Sequence, residues 1–337
     1  MSLVEELFNK ESLNSNDIEK ILNDSSFDEE LFYYANLKRK ICVGDGIHLK
    51  ALIEISNICS RHCKYCGLRS ENKVIKRYKI DLENIKKVVE RILNNGYKTV
   101  VLQSGESNAF KIDEICELIK FVKSFGLQIT LSFGEKTYEE LKAYKEAGAN
   151  RYLLRIETKD ENLYSFLHPK MSLENRVQTL KNLQKLGYET GSGLIIGVPN
   201  QNNKIIANDL LWLKQNDFDM AGIGPFIPAP NTPFELENKG GFTLATKVMA
   251  ILRLLLPYIN IPATTAMENL QKDGRMTALN RGANVIMPNF TTPNEKKLYQ
   301  IYPKNLIDDS DLNSKLLSYN RYVSKENGDS KRFIKRH

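Results

Sequence analysis

The stretch Leu49-Lys-Ala-Leu-Ile-Glu-Ile-Ser56, followed by Asn-Ile-Cys59-Ser-Arg-His-Cys63-Lys-Tyr-Cys66, joins a short β-rich run to a loop with three cysteines. The cysteine spacing is C-x3-C-x2-C, and the aromatic Tyr65 stands directly before the last cysteine. Three thiolates on one loop can each bind one iron of a cubic 4Fe–4S cluster, which leaves the fourth iron without a protein ligand. An open coordination position is typical of a site that receives a substrate or cofactor. The pattern therefore predicts one 4Fe–4S cluster at Cys59, Cys63 and Cys66, directly after a strand.

Two other uses of these cysteines are open at this stage. A Cys3His zinc site would take His62 as its fourth ligand, but His62 is adjacent to Cys63 and a tetrahedron closed from that loop would be strained. A disulfide is less favoured again, because the chain has five cysteines, an odd number, and no secretory signal. The cluster is the favoured interpretation, with zinc second.

Length and composition favour an enzyme-sized α/β protein. The 337 residues suffice for two ordinary domains or for one α/β barrel of about 250 residues with extensions. The apolar run at 250–256 is broken by Arg253 and is far shorter than the roughly 20 residues of a membrane span. The amino terminus resembles neither a secretory nor a transit signal. We expect a cytoplasmic protein, with reduced thiols and no membrane contact.

The chain carries a net charge of +7, and part of the excess lies in the last thirteen residues. Nucleic-acid binding is not expected, because no basic stripe with interleaved aromatic residues is present elsewhere. We expect this polar tail to be solvated and partly frayed. A modestly basic surface would also favour docking of an acidic electron carrier.

Short β-rich runs alternate with amphipathic segments after about residue 45. The predicted strands are 49–56, 98–103, 127–131, 151–156, 189–196, 218–223, 260–265 and 284–287. The predicted helices between and after them are 82–95, 112–125, 136–147, 173–186, 205–216, 244–256, 275–281 and 294–301. Glycines directly after several of these helices suit their carboxyl-terminal caps. Strands that alternate with helices indicate right-handed βαβ units, and eight repeats favour a closed (β/α)8 TIM-type barrel.

This prediction divides the chain into three parts. Residues 1–45 have apolar residues at helical spacings and form an amino-terminal helical extension. Residues 46–303 form the barrel, and residues 304–337 form a carboxyl-terminal extension that ends in the polar tail.

Active-site groups of such barrels emerge at the carboxyl ends of the strands. The cysteine loop follows the first predicted strand, and other polar segments fall at equivalent places. They are Ser104-Gly105-Glu106, Thr130, Arg155 with Glu157, Thr264-Thr265, and Met287-Pro288-Asn289. Their agreement in position predicts one site at one mouth of the barrel.

Three of these elements carry charge or hydrogen-bonding capacity. Arg155 and Glu157 alternate on one strand face, so they either pair with each other or meet a zwitterionic ligand, because an unpaired buried charge is costly. Arg176 at the start of a helix can bind a carboxylate through two hydrogen bonds, although a helix-surface arginine is the commoner situation. Thr264 and Thr265 offer two hydroxyls within one step and are interpreted as facing a ligand, although threonines also suit strands.

The remaining cysteines and histidines receive no functional role. Cys116 lies among isoleucines at helical spacing and is expected to be a core thiol, and Cys42 is interpreted in the same way. No partner pattern surrounds His48, His168 or His337.

Longer motifs extend beyond the cysteine spacing, which itself resembles the signature of the radical SAM superfamily. They are Ile53–Cys59, Tyr65–Arg69, Lys76-Arg77-Tyr78, Val101–Glu106, Arg151–Thr158, Gly187–Gly191, Asp217–Pro228, Ile261–Met267 and Gly282–Asn289. Together they resemble the HydE family, the radical SAM maturases of iron–iron hydrogenase, from about residue 48 to residue 303.

The resemblance implies a barrel with the cluster at the three cysteines and with S-adenosylmethionine (SAM) bound to its open iron. Ser104-Gly105-Glu106 resembles the "GGE" element, in which Glu106 or a nearby carbonyl accepts a hydrogen bond from the methionyl amino group. The implied SAM contacts further include Gln103, Ser104, Thr130, Arg155, Glu157 and Arg176. The implied substrate-lining positions are Thr264, Thr265, Met287 and Tyr302.

The resemblance also implies an activity and partners. Such enzymes reductively cleave SAM to a 5′-deoxyadenosyl radical, with an electron from a low-potential donor such as ferredoxin or flavodoxin. The implied substrate is a small organometallic molecule, a cysteine-bound iron carbonyl–cyanide complex delivered by another hydrogenase maturase, which the radical attacks at sulfur. The role is assembly of the di-iron centre of the hydrogenase H-cluster.

Two features depart from the family pattern. No cysteine follows Cys116, so we expect one cluster where some members carry two. Ile156 stands where a relative has histidine, and strand alternation points it away from the face of Arg155 and Glu157. The alternatives are a methylornithine synthase, a biotin synthase, which would need further cluster ligands, and a non-catalytic or zinc-binding scaffold.

Overall fold

The computed structural model describes residues 1–305 and 307–337. Within them the chain forms nine strands: β1 (Gly46–Leu49), β2 (Ala51–Ser56), β3 (Thr99–Ser104), β4 (Gln128–Ser132), β5 (Arg151–Leu153), β6 (Glu189–Ile196), β7 (Met220–Pro225), β8 (Val285–Ile286) and β9 (Tyr322–Val323). The first eight helices are α1 (Leu3–Lys10), α2 (Ser15–Asn23), α3 (Asp28–Val43), α4 (Leu82–Asn94), α5 (Ile112–Ser124), α6 (Tyr138–Glu146), α7 (Glu161–Leu167) and α8 (Leu173–Lys185). The others are α9 (Asn203–Gln215), α10 (Phe242–Leu255), α11 (Thr265–Leu270), α12 (Gly274–Asn280), α13 (Pro293–Leu298), α14 (Leu312–Ser318) and α15 (Lys331–Arg336), and a short 3-10 helix spans Ser25–Phe27.

The strands form a closed parallel barrel. Strands β2 to β7 lie side by side in chain order, and β1 pairs in parallel with β8. Isolated parallel bridges close the ring, between Met220 and Asn260, Pro262 and Val285, and Leu52 and Asn289. Because the ring is closed and helices cover its outside, the predicted TIM-type architecture is confirmed.

The seventh predicted strand, 260–265, is wrong in part. Only Asn260 and Pro262 make bridges, and helix α11 begins at Thr265 with Thr264 as its N-cap. Pro262 has no N–H to donate to a neighbouring strand, so a regular ladder cannot run through it. The chain therefore turns into a helix where threonines alone favoured a strand.

The outer helices follow the apolar spacing of their sequences. In α4 the side chain of Asp81 accepts a hydrogen bond from the N–H of Asn84 (2.8 Å) and caps the helix. Ile85, Val89 and Ile92 lie on one face of α4 and are fully buried. This face packs on β2, and α5, α8, α9 and α10 likewise pack on strands of the barrel.

The amino-terminal helices α1 to α3 pack on the outside of α9 and α10. Lys247 of α10 donates a hydrogen bond to the carbonyl of Asp24 (3.0 Å) and pairs with Asp28 (2.6 Å). The boundaries of the three predicted parts of the chain stay a prediction.

Part of the carboxyl-terminal segment packs on the barrel, so the expectation of a solvated, partly frayed tail is wrong for residues 327–330. Strand β9 pairs in parallel with β1. The N–H of Ser330 donates to Glu189 (3.0 Å), and Ser330 is fully buried. Because Glu189 and Arg151 begin their strands, the segment covers the amino-terminal end of the barrel. Across the described residues, no helix has the length and apolarity needed to cross a membrane.

Candidate active site

A cavity of about 480 Å³ opens at the carboxyl ends of the strands. It brings together thirteen of the fourteen side chains that the sequence singled out: Cys59, Cys63, Cys66, Gln103, Ser104, Glu106, Arg155, Glu157, Arg176, Thr264, Thr265, Met287 and Tyr302. Thr130 is the exception. It precedes Ser132 on the same face of β4, and Ser132 lines the cavity, so Thr130 lies on that face one step towards the other end of the barrel.

Close backbone contacts hold the cysteine loop at this mouth. The N–H of Gly105 donates to the carbonyl of Ser56 (2.9 Å), and a Cβ on Gly105 would lie 2.4 Å from the carbonyl oxygen of Ile58. On the other side, the N–H of Gly67 donates to the carbonyl of Ile301 (2.9 Å). Glycine is therefore required at position 105 for the end of β3 to pack against the loop.

The three thiols are poorly suited to ionise by themselves. Burial raises the pKa of Cys59, and burial together with the neighbouring thiols raises the pKa of Cys63 and Cys66, the latter to about 12. Thiolates at these positions need positive charge among them, which iron ions would supply. The donor set thus fits a metal cluster.

The geometry argues against one zinc ion. Among the described residues, no group of three or more Cys, His, Asp or Glu side chains is arranged to hold a single metal ion. His62 is instead engaged by Glu71 (2.8 Å) and Ser70 (3.1 Å) through its Nδ1. A cubic cluster does not require the three thiolates to meet at one ion, because each thiolate binds a different iron.

Arg155 and Glu157 form a pair that leaves hydrogen-bonding capacity unused. Arg155 Nη2 lies 3.0 Å from Glu157 Oε2, an ion-pair distance without the geometry of a hydrogen bond. Arg155 Nε, Glu157 Oε2 and Thr264 Oγ1 are buried without a hydrogen-bond partner, and all three residues line the cavity. Burial raises the pKa of Glu157 against the opposing effect of Arg155. Buried polar atoms without partners are costly, so this arrangement fits a polar ligand.

Ile156, between them, is fully buried in the core. It therefore points away from the cavity, as strand alternation predicts. Glu157 reaches the cavity with a φ of 65° beyond the end of β5.

Arg176 is buried and faces the cavity, so the surface alternative is wrong for it. Its Nε lies 2.9 Å from Glu135 Oε1, and its Nη2 lies 3.5 Å from Glu106 Oε2. Arg61 of the cysteine loop pairs with both Glu106 and Glu135. The sequence missed Arg61 and Glu135, although Glu135 follows the third barrel strand and the strand-end rule points to it.

The part of the cavity around Glu54 is also polar, and the sequence interpretation did not include these residues. Glu54 accepts hydrogen bonds from Lys304 (2.5 Å) and from Asn289 (3.0 Å). Arg275 donates to Asp309 (2.6 Å). A charged residue inside the apolar strand β2 was the available signal for Glu54.

The other candidates separate into groups. Gln103 donates to the hydroxyl of Tyr299 (3.2 Å), and Ser104 donates to the carbonyl of Gly105 (2.8 Å). Burial raises the pKa of Tyr302. Cys116 is half-buried and packs against the core, whereas Cys42 is half-buried and belongs to neither hydrophobic cluster, so the core interpretation is wrong for Cys42; neither thiol lines the cavity. His168, to which the sequence assigned no role, lines the cavity.

Comparisons with known proteins agree with this geometry. The model of the radical SAM superfamily matches residues 53–213. The [FeFe] hydrogenase maturase subunit HydE of Thermotoga maritima is 49% identical over 282 residues, which cover 84% of this chain and 81% of that protein. The 3-methylornithine synthase of Methanosarcina acetivorans is 31% identical over 310 residues, covering 90% and 87%. The crystal structure of methylornithine synthase PylB matches with a TM-score of 0.84 at 26% identity, covering 96% of this chain and 97% of that one.

Proposed function

The chain belongs to the HydE family within the radical SAM superfamily, and on this premise we propose that it is a radical SAM enzyme that assembles the di-iron centre of [FeFe] hydrogenase. The observation that supports the proposal most strongly is the convergence of three cysteines and several unpartnered polar atoms on one cavity. Its relation to the maturase, at 49% identity, is nearer than its relation to the methylornithine synthase, at 31%.

Cys59, Cys63 and Cys66 would hold one 4Fe–4S cluster. When bound, the cluster and SAM supply a low-potential electron and a 5′-deoxyadenosyl radical. The protein's part is to hold the cofactor and to exclude water, as the glycine contacts and the cavity walls allow.

The SAM contacts remain those of the sequence prediction: Gln103, Ser104, Glu106, Thr130, Arg155, Glu157 and Arg176. The free polar atoms of Arg155 and Glu157 suit the opposite charges of an amino acid moiety. The carboxylate of Glu106 is engaged by Arg61 and Arg176, so we assign it the task of orienting Arg176.

For the substrate we propose the positions Thr264, Thr265, Met287 and Tyr302. The buried, unpartnered hydroxyl of Thr264 is available to donate a hydrogen bond to an acceptor such as a cyanide or carboxylate group. The substrate class is a small cysteine-bound iron carbonyl–cyanide complex. The partners would be other hydrogenase maturases and a ferredoxin or flavodoxin, in a cytoplasmic setting that keeps the five free cysteines reduced.

The proposal is tested by deleting the gene in its host and measuring [FeFe] hydrogenase activity. Loss of that activity, restored by the wild-type gene, is expected. Full hydrogenase activity in the deletion strain would contradict the maturase role. A requirement for methylornithine in the same strain would favour the synthase alternative.

Matched cysteine variants place the activity at the site. Cys63→Ala should fail to restore hydrogenase activity, because one of the three cluster ligands is lost. Cys116→Ala is the control and should restore it, because that thiol packs on the core away from the cavity. Equal complementation by the two variants would overturn the cluster assignment.

A further inference from the structure

The end of helix α7 contacts Lys64 and Tyr65, the two residues between Cys63 and Cys66. The N–H of Lys64 donates to the carbonyl of Leu167 (2.9 Å), and Lys64 Nζ lies 4.0 Å from the ring centre of Phe166. Tyr65 Oη lies 3.0 Å from His168 Nε2. The cysteine loop is thus tied to one short segment by a backbone bond, a cation–π contact and a side-chain bond.

The orientation of His168 is fixed on both sides. Its Nδ1 lies 3.1 Å from the carbonyl oxygen of Tyr164, which can only accept, so Nδ1 carries the proton. Burial, followed by the charge of Arg176, lowers the pKa of His168 to about 3, so the ring is neutral. His168 Nε2 is therefore an acceptor, and the hydroxyl of Tyr65 donates to it. The two rings meet edge to face, at 90° and 5.5 Å between centres.

The same segment also contacts Arg176, one of the proposed SAM-binding residues. Tyr164 packs on His168 with ring centres 4.3 Å apart, and its hydroxyl lies 3.4 Å from Arg176 Nε. Tyr65, His168 and Arg176 all line the cavity. A continuous path of contacts therefore runs from the peptide between Cys63 and Cys66 to Arg176.

We propose that His168 is a positioning residue that locks Tyr65 and thereby fixes the cysteine loop relative to Arg176. This inference rests on the proposed cluster and SAM sites and adds a residue to them. Without the acceptor at His168, the loop keeps the backbone bond and the cation–π contact of Lys64 but loses the hydrogen bond that fixes the Tyr65 side chain, so Tyr65 is held less precisely relative to Arg176 and SAM binding weakens.

The test compares SAM affinity in anaerobically reconstituted wild type, His168→Phe, His168→Gln, Tyr65→Phe and the double variant Tyr65→Phe/His168→Phe. The dissociation constant of SAM is measured by calorimetry, and iron content and the thermal midpoint are measured on the same samples. His168→Phe should weaken SAM binding about three- to tenfold, the value of one hydrogen bond. Gln places an amide oxygen near the position of Nε2 and should restore most of the affinity. The double variant should bind SAM no more weakly than the single variant with the lower affinity, because both changes remove the same hydrogen bond between Tyr65 and His168.

The outcomes separate this inference from the proposed function. Wild type that holds iron and binds no SAM would contradict the proposed function itself. Wild type that binds SAM, together with His168→Phe of unchanged affinity, would overturn only the positioning role. Equal losses of SAM affinity and thermal midpoint in His168→Phe and His168→Gln would also overturn it, because they indicate general packing. Additive effects of the two single changes would show that His168 does not act through Tyr65.

Discussion

The arginines of two arginine–glutamate pairs lie four residues apart on one segment, and the two pairs lie at opposite ends of the barrel. Arg151 at the amino-terminal end donates to Glu189 (2.7 Å), to the carbonyl of Asn327 (3.1 Å) and to Thr99 (3.4 Å). Arg155 at the mouth pairs with Glu157 and leaves buried polar atoms without hydrogen bonds. The residue types are the same, but the pairs differ in how much of their hydrogen-bonding capacity the protein uses. Arg151 and Glu189, the lower pair, leave no buried side-chain atom without a partner, whereas Arg155 donates to the carbonyl of Leu194 and still leaves its Nε and Glu157 Oε2 without one. A satisfied buried pair indicates a structural role, whereas an unsatisfied pair beside a cavity indicates a ligand.

The largest expected effect is on stability at the lower pair. Arg151→Met should lower the free energy of unfolding by about 3 to 5 kcal/mol, because it leaves a buried glutamate without its partner. Arg155→Met is the matched control and should cost much less, since the Arg155 side chain is 30% exposed. Thermal midpoints of the two variants without cofactor measure this difference. Equal decreases in the midpoint would contradict the structural role assigned to the lower pair alone.

The second effect is on SAM affinity, and here the change at Arg155 rather than the change at Arg151 should have the larger effect. Arg155→Met should weaken SAM binding by about 10- to 100-fold, the value of a hydrogen bond to a charged group. Folded Arg151→Met should bind SAM as wild type does. Calorimetric titration of both variants measures this, and an unchanged affinity in Arg155→Met would remove that residue from the site.

The third effect is a pH dependence of stability that Lys50 contributes near the lower pair. Burial, followed by the charge of Arg151, lowers the pKa of Lys50 to about 7. The unfolded chain keeps this proton up to about pH 10.5, so above pH 7 it binds more protons than the folded chain and stability rises with pH.

Denaturation of wild type and Lys50→Met at pH 7 to 8.5 tests this dependence. The difference in unfolding free energy should shift by about 1 kcal/mol per pH unit in favour of wild type. Other groups that titrate in this range cancel in the difference. A flat difference across the range would show that Lys50 keeps its proton in the folded protein.

The smallest expected effect is on stability and concerns the second carboxylate that pairs with Arg151. Asp329 pairs with Arg151, but its side chain is 36% exposed. Asp329→Asn should therefore cost less than about 1 kcal/mol, as solvent-screened pairs do. The comparison of its thermal midpoint with that of Arg151→Met measures how much of the lower site depends on Glu189 alone.

Much of the fold was readable from local pattern, since apolar runs such as Ala51–Ile53 and the glycines after several helices indicate the βα units. The strand-end rule then placed Arg155 and Glu157 at the mouth. The predicted strand 260–265 was wrong in part, because Pro262 ends the ladder and a helix begins at Thr265, yet Thr264 and Thr265 still line the cavity.

Long-range convergence is what the sequence could not supply. The polar tail appeared solvated because its partner, Arg151, lies 178 residues from Asp329. His168 lies 103 residues from Tyr65 and had no neighbouring signal. Lys304 meets Glu54 across 250 residues, and only the closed barrel brings such pairs together.

The most direct test of the central claim is anaerobic reconstitution with iron and sulfide, followed by reduction in the presence of SAM. We expect about four irons per chain, the content of one cubic cluster, and formation of 5′-deoxyadenosine. Both should be lost in Cys63→Ala and kept in Cys116→Ala. Zinc in place of iron, or an intact cluster that does not cleave SAM, would contradict the claim that this barrel mouth is a radical SAM site.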